Sequence, residues 1–122
     1  MLFFNSTSFK AMENGLQASW LQQQVAAQNL ANLETPNYKA KTVSFSDAMQ
    51  QANEQFSNSA RYSFRTEIET REDTSARLDG NNVDTGKESL VLYKAYAQYS
   101  YLTQKINGSF SNFRYVLTNG PR

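Results

Sequence analysis

Eight apolar residues near the end of the chain constrain its fold more than any other feature. Leu92, Tyr96, Tyr99, Leu102, Ile106, Phe110, Phe113 and Leu117 follow one another at steps of 4, 3, 3, 4, 4, 3 and 4. That spacing puts all eight on one stripe of a long α-helix, predicted over 85–117. Its start is marked by "DGNNVDTGKE": Asp79-Gly80 reads as a turn, and Thr85 with Glu88 has the spacing of a capping box. Asp84 is the alternative N-cap, its carboxylate suited to the positive end of the helix dipole. Asn119-Gly120-Pro121 stops the helix.

A helix of this length needs a partner, and the other end of the chain offers one. Phe9, Met12, Leu16, Trp20, Ala27, Leu30 and Ala31 recur at helical spacings, which predicts a helix over 7–33. Leu21 and Val25 widen its apolar face, and Gly15 weakens its first half. At 1.5 Å per residue it spans roughly 40 Å. Pro36 has no amide hydrogen and biases Thr35 toward extended geometry, so the helix must end by Leu33 or Glu34. Pro36-Asn37 suits a turn in which asparagine tolerates positive φ, with Tyr38 projecting from the corner.

Between the helices, 38–82 changes period. Ala40, Thr42 and Ser44 alternate with Lys41, Val43 and Phe45, as in a strand or extended arm. Ser46 to Phe56 fits a short helix. Phe64, Thr66, Ile68 and Thr70 then alternate with Arg65, Glu67, Glu69 and Arg71, a second strand pattern. The surroundings of Ser57 to Ala60 and the run from Arg71 to Arg77 read as exposed loops.

The expected fold is therefore mainly α. In a single unit of 1–122, two long terminal amphipathic helices pair antiparallel as a coiled coil, with an extended, short-strand and loop middle. Both helices carry more apolar surface than one seam covers, including Tyr93, Tyr101 and Tyr115 on a second flank of the last. With no third long helix in the chain, the surplus predicts contact with helices of other subunits.

Composition removes most chemistry. There is no cysteine and no histidine, hence no thiolate, disulfide or imidazole base, and two common ligands of transition metals are missing. Glu67, Glu69, Glu72 and Asp73 lie beside Arg65 and Arg71, where a solvated ion-pair face outweighs an acid/base pair. "DGNNVD" fails the calcium-loop order, with Val83, Asp84 and Leu90 at three required positions. No catalytic, cofactor or metal site is expected. Lys+Arg 12 against Asp+Glu 11 gives no basic excess for nucleic acid or a membrane surface. No apolar run approaches transmembrane length. "MLFFNSTSFKAMENG" lacks the basic region of a secretory signal, so export would use another route.

Against that background one motif is informative. "NLANLETPNYKAK" resembles the signature that closes the first helix of flagellar basal-body rod proteins, with Asn29, Ala31, Asn32, Thr35, Pro36, Tyr38 and Lys39 matching. Asn37 stands where the family usually has glycine. "VSFSDAM" and "DGNNVDTGKES" resemble the proximal-rod members; the segment 51–77 is not matched. The resemblance implies a structural subunit, not an enzyme, exported without a cleaved signal by the flagellar type III apparatus. Such subunits polymerise in the periplasm at the flagellar base. The neighbours implied are its own copies, other rod proteins, and the basal-body ring and export gate. Packing between subunits is expected from Phe9, Met12, Leu16, Trp20 and Leu30 on the first helix and from the eight-residue stripe on the last. The alternatives are a soluble helical chaperone or adaptor of a type III system and a nucleic-acid binder using the aromatic stripe.

Overall fold

The computed structural model describes residues 6–44, 66–72 and 77–120. Helix α1 is Thr7–Ala31, opened by Ser6, whose hydroxyl accepts from the Phe9 amide at 3.2 Å. Helix α2 is Thr85–Asn119. Between them, β1 (Lys41–Ser44) and β2 (Glu67–Thr70) form a two-stranded antiparallel ribbon with Val43 opposite Ile68 and Lys41 opposite Thr70. Both helices fall within two residues of their expected bounds, and the strands sit where the period-2 patterns lie. The helix expected over Ser46 to Phe56 lies outside the described residues.

The two helices run antiparallel along their length. Near one end the rings of Phe9 and Phe110 meet edge to face, with centroids 6.1 Å apart. Gly15 then lies against Leu102, Gln23 Nε2 reaches the Ala95 carbonyl at 3.5 Å, and Asn29 meets Glu88 at the other end.

The surface that α1 buries differs from the apolar stripe read in its sequence. Buried residues are Ala18, Ser19, Val25, Ala26 and Asn29, in helical register with Gly15. Across from them Ala95 and Glu88 are buried on α2. Small side chains on α1 make room for larger ones opposite, and a β-carbon on Gly15 would stand only 3.1 Å from Leu102 Cδ1. Phe9, Met12, Leu16 and Leu30 are only half-buried beside this seam, and Trp20 is 51% exposed. A pattern weighted by hydrophobicity picks the large residues, whereas close helix packing selects the small ones. On α2, Leu92, Tyr99, Leu102 and Ile106 are half-buried, Phe110 and Phe113 are more exposed, and Tyr96 and Leu117 are largely exposed.

Ends of α2 also refine the expectation. Asp84 is the N-cap, its carboxylate accepting from the Lys87 amide at 3.1 Å. The capping-box alternative fails because Glu88 is buried and turned toward α1 and the ribbon. Gly120 closes the helix in extended geometry (φ −63°, ψ 153°), as a residue preceding proline prefers.

A seam built on small residues predicts a specific sensitivity. Ala26→Leu, at a position 1% exposed, should lower stability by about 1–3 kcal/mol through overpacking. Trp20→Ala should change it by less than about 0.5 kcal/mol. Urea denaturation followed by circular dichroism checks both.

Candidate functional site

Every α-helix leaves its last carbonyls without intrahelical partners. In α1 the carbonyls of Gln28, Asn29 and Leu30 are met by the amides of Asn32 and Leu33, and the turn that follows is held by a side chain almost fifty residues away. The buried Asn81 carboxamide donates to the carbonyls of Asn32, Leu33 and Thr35 at 2.8, 2.9 and 2.9 Å. The Arg77 guanidinium also donates to the Leu33 carbonyl. Pro36 itself is exposed; the helix ends five residues before it, at Ala31, and Asn81 holds the intervening turn in place.

Two backbone corners bring these segments together. Asn37 adopts φ 61°, the left-handed geometry that asparagine tolerates, and its amide donates to the Asp79 carbonyl at 2.8 Å. Facing it, Gly80 has φ 81°, and a β-carbon there would lie 2.5 Å from Asn37 Oδ1. Glycine is required at this contact both for its backbone and for its lack of a side chain. The Asp79 carboxylate accepts from the Asn81 amide at 3.0 Å, and Asn81 Oδ1 accepts from the Val83 amide at 2.8 Å, setting the Asn81 side chain toward the helix end. Lys39 Nζ donates to the Gly80 carbonyl at 2.6 Å.

Asn82 ties the same segment to the base of the ribbon. Its Oδ1 accepts from the Ala40 amide at 2.6 Å and its Nδ2 donates to the Arg71 carbonyl at 2.6 Å. Arg71 in turn donates its amide to the Ala40 carbonyl at 2.8 Å, extending the ladder beyond the strands.

Beneath these contacts lies Asn29, fully buried on the seam face of α1. Its Nδ2 donates to the Lys41 carbonyl at 2.7 Å and to Glu88 Oε2 at 2.9 Å. Its Oδ1 accepts from the Lys41 amide at 3.0 Å and the Tyr38 hydroxyl at 3.1 Å. One side chain thereby uses all of its hydrogen-bonding capacity on α2, the start of β1 and the turn. The second carboxylate oxygen of Glu88 pairs with Arg71. Arg71 Nε is buried with no partner among the described residues.

A near-full-length relative gives this arrangement its family. No family model matches the chain. The flagellar basal body rod protein FlgB of Bacillus subtilis (strain 168) is 35% identical over 133 residues, covering 98% of this chain and 99% of the relative. The chain belongs to the FlgB family of flagellar basal body rod proteins.

The family motif read in the sequence is thus half of a two-part site. Asn29, Asn32, Thr35, Tyr38 and Lys39 converge on it; Ala31 and Pro36 are exposed. Asn32 also bonds locally, Nδ2 to the Gln28 carbonyl at 2.8 Å and Oδ1 from the Thr35 hydroxyl at 3.1 Å. Tyr38 does not project from the corner: it folds back onto Asn29, because a buried amide oxygen there needs a donor. Arg71 is not part of a solvated ion-pair face, since the buried Glu88 carboxylate draws it inward.

Sequence reasoning missed Asn81, Asn82, Glu88, Arg71 and Arg77. A signal existed for Glu88, which lies four residues before Leu92 in the phase of the apolar stripe. A charged residue in that phase must find a buried partner.

Loss of the Asn81 amide should be costly and loss of Pro36 mild. Asn81→Ala removes three bonds to the turn and the acceptor of the buried Val83 amide, and should cost at least about 2 kcal/mol. Pro36→Ala should cost clearly less, because Asn81 still holds the carbonyls. Paired thermal melts would decide, and equal losses would contradict the assignment.

The site also carries a pH dependence. Burial first, and then the nearby Glu88 carboxylate, hold the Tyr38 phenol above its ordinary value of 10.0. A group whose value is raised on folding contributes stability that is whole below the unfolded value and fades as pH rises through the folded one. Alkaline unfolding above about pH 10 should therefore be shallower in Tyr38→Phe than in the parent. Below that pH, Tyr38→Phe should be the less stable protein, since Asn29 loses a donor.

Proposed function

We propose that this protein is a structural subunit of the proximal flagellar rod that polymerises through its terminal helices and transmits torque. The observation that carries the reading is the match to a FlgB protein over nearly all of both chains. Exposed apolar residues on both helices support it further. Trp20 on α1, and Tyr93, Tyr96, Tyr101, Val116 and Leu117 on α2, leave large apolar surfaces open to solvent beside a seam that is already filled.

In this account the small-residue seam is the coiled-coil contact within one subunit. Phe9, Met12, Leu16, Trp20 and Leu30, with the outer parts of the α2 stripe, face neighbouring subunits. Copies of the chain, other rod proteins and the basal-body ring or export gate are the partners. The asparagine site fixes the direction in which the chain leaves α1 and ties both helices to the ribbon, so that load entering the middle segment is passed to the helices without slippage. The place of action is the periplasmic base of the flagellum, reached through flagellar type III export without a cleaved signal. Among the described residues no helix is long and apolar enough to cross a membrane. A type III chaperone or adaptor would be expected to be an acidic dimer, and a net charge of +1 gives that alternative no support.

Trp20→Asp combined with Tyr96→Asp should leave helicity of the purified protein near the parent value, abolish swimming, and remove the chain from purified basal bodies. Normal motility and normal incorporation of the double variant would overturn the assignment of these faces. Absence of the parent chain from basal bodies would overturn the rod reading itself.

A further inference from the structure

The sequence contains three Asn-Gly pairs, at Asn14-Gly15, Asn107-Gly108 and Asn119-Gly120, and one Asp-Gly pair at Asp79-Gly80. Asparagine before glycine is prone to self-cleavage of its amide, because the following backbone nitrogen is unhindered and can attack the side-chain carbon. By sequence the three Asn-Gly pairs are chemically equivalent. The fold separates them.

Gly15 and Gly108 lie deep inside α1 and α2, where each amide is committed to the carbonyl four residues earlier. Attack at either would require several helical hydrogen bonds to open together. Gly80 donates its amide to the Arg77 carbonyl at 2.8 Å, and the Asp79 carboxylate is held by the Asn81 amide, so that pair is also committed. Gly120 is different. It follows the last residue of α2 and has extended geometry, so its amide is at most the final link of the helix, at the end that frays. Asn119 is exposed, and among the described residues its carboxamide makes two contacts of 3.2 Å, to the Tyr115 carbonyl and the Thr118 hydroxyl.

We infer that Asn119 is a site of spontaneous deamidation in the folded protein, and that the fold shields Asn14 and Asn107. The Gly120 nitrogen bonds to the Asn119 side-chain carbon and gives up its proton, and the bond from that carbon to Nδ2 breaks to release ammonia. The resulting five-membered imide is opened by water to aspartate or its β-linked isomer, with no change of oxidation state. Only the ψ rotation of Asn119 and the opening of the terminal link of α2 are needed. The product carries a carboxylate at the negative end of the α2 dipole, beside exposed Val116 and Leu117, which disfavours the last turn. This inference stands apart from the rod assignment.

The test is to age the purified full chain at mildly alkaline pH, folded and in concentrated urea, and to follow each site by mass spectrometry. Trypsin cutting after Lys10, Lys39, Lys105 and Arg114 places the three asparagines in separate peptides. Folded protein should convert at Asn119 at least about tenfold faster than at Asn14 or Asn107, since frayed ends open at almost no cost while helix interiors do not. In urea the three rates should come together, and Asn119→Gln should remove the conversion at that site. Equal rates at the three sites in folded protein would overturn the inference. So would an Asn119 that stays intact while the unfolded chain converts at all three.

Discussion

Four hydrogen bonds from one buried carboxamide hold this structure in register. Asn29 lies where α1 meets α2, and its bonds run to Glu88 on α2, to both backbone groups of Lys41 at the start of β1, and to Tyr38 in the turn. An apolar seam of alanine, glycine and valine tolerates sliding by a turn, because one small side chain packs much like another. A saturated amide does not, since any slip leaves buried polar groups unpaired. Polar contacts therefore specify the alignment, while the alanine-rich seam supplies close approach.

The same division explains the paired motifs. The turn "TPNYK" and the element "DGNNVD" lie on opposite sides of the ribbon and the intervening segment, yet each completes the other. Asn81 holds the carbonyls of the turn that follows α1, Asn82 closes the base of the ribbon, and Gly80 makes room for Asn37. A loop closed at its base in this way can vary in length at modest entropic cost. Both helices stay tied whatever the intervening segment does.

How much of this could be read from the sequence depended on the range of the interaction. Helices α1 and α2, both strands, the left-handed Asn37 and the turn at Asp79-Gly80 follow from local periodicity and turn chemistry. The choice of seam did not, because hydrophobic period alone favours Trp20 and Leu16 over Gly15, Ala18 and Ala26. Neither did the lock: bonds from Asn81 to Thr35 or from Asn29 to Lys41 leave no local repeat, and a carboxamide reads as a surface residue by default. Glu88 shows the hidden signal most clearly. Its phase is that of the apolar stripe, its charge disguised it as a helix cap, and its true partners are Asn29 and Arg71.

That the lock, rather than the apolar seam alone, makes the helices and the ribbon one cooperative unit is most directly tested by native-state hydrogen exchange at single-amide resolution. The amides of Ala40, Lys41, Asn82 and Val83 should exchange only through the same opening that exposes the middle of α1, and Asn29→Ala should uncouple them from it. If these amides exchange freely in the parent protein while α1 stays protected, the lock does not organise the fold.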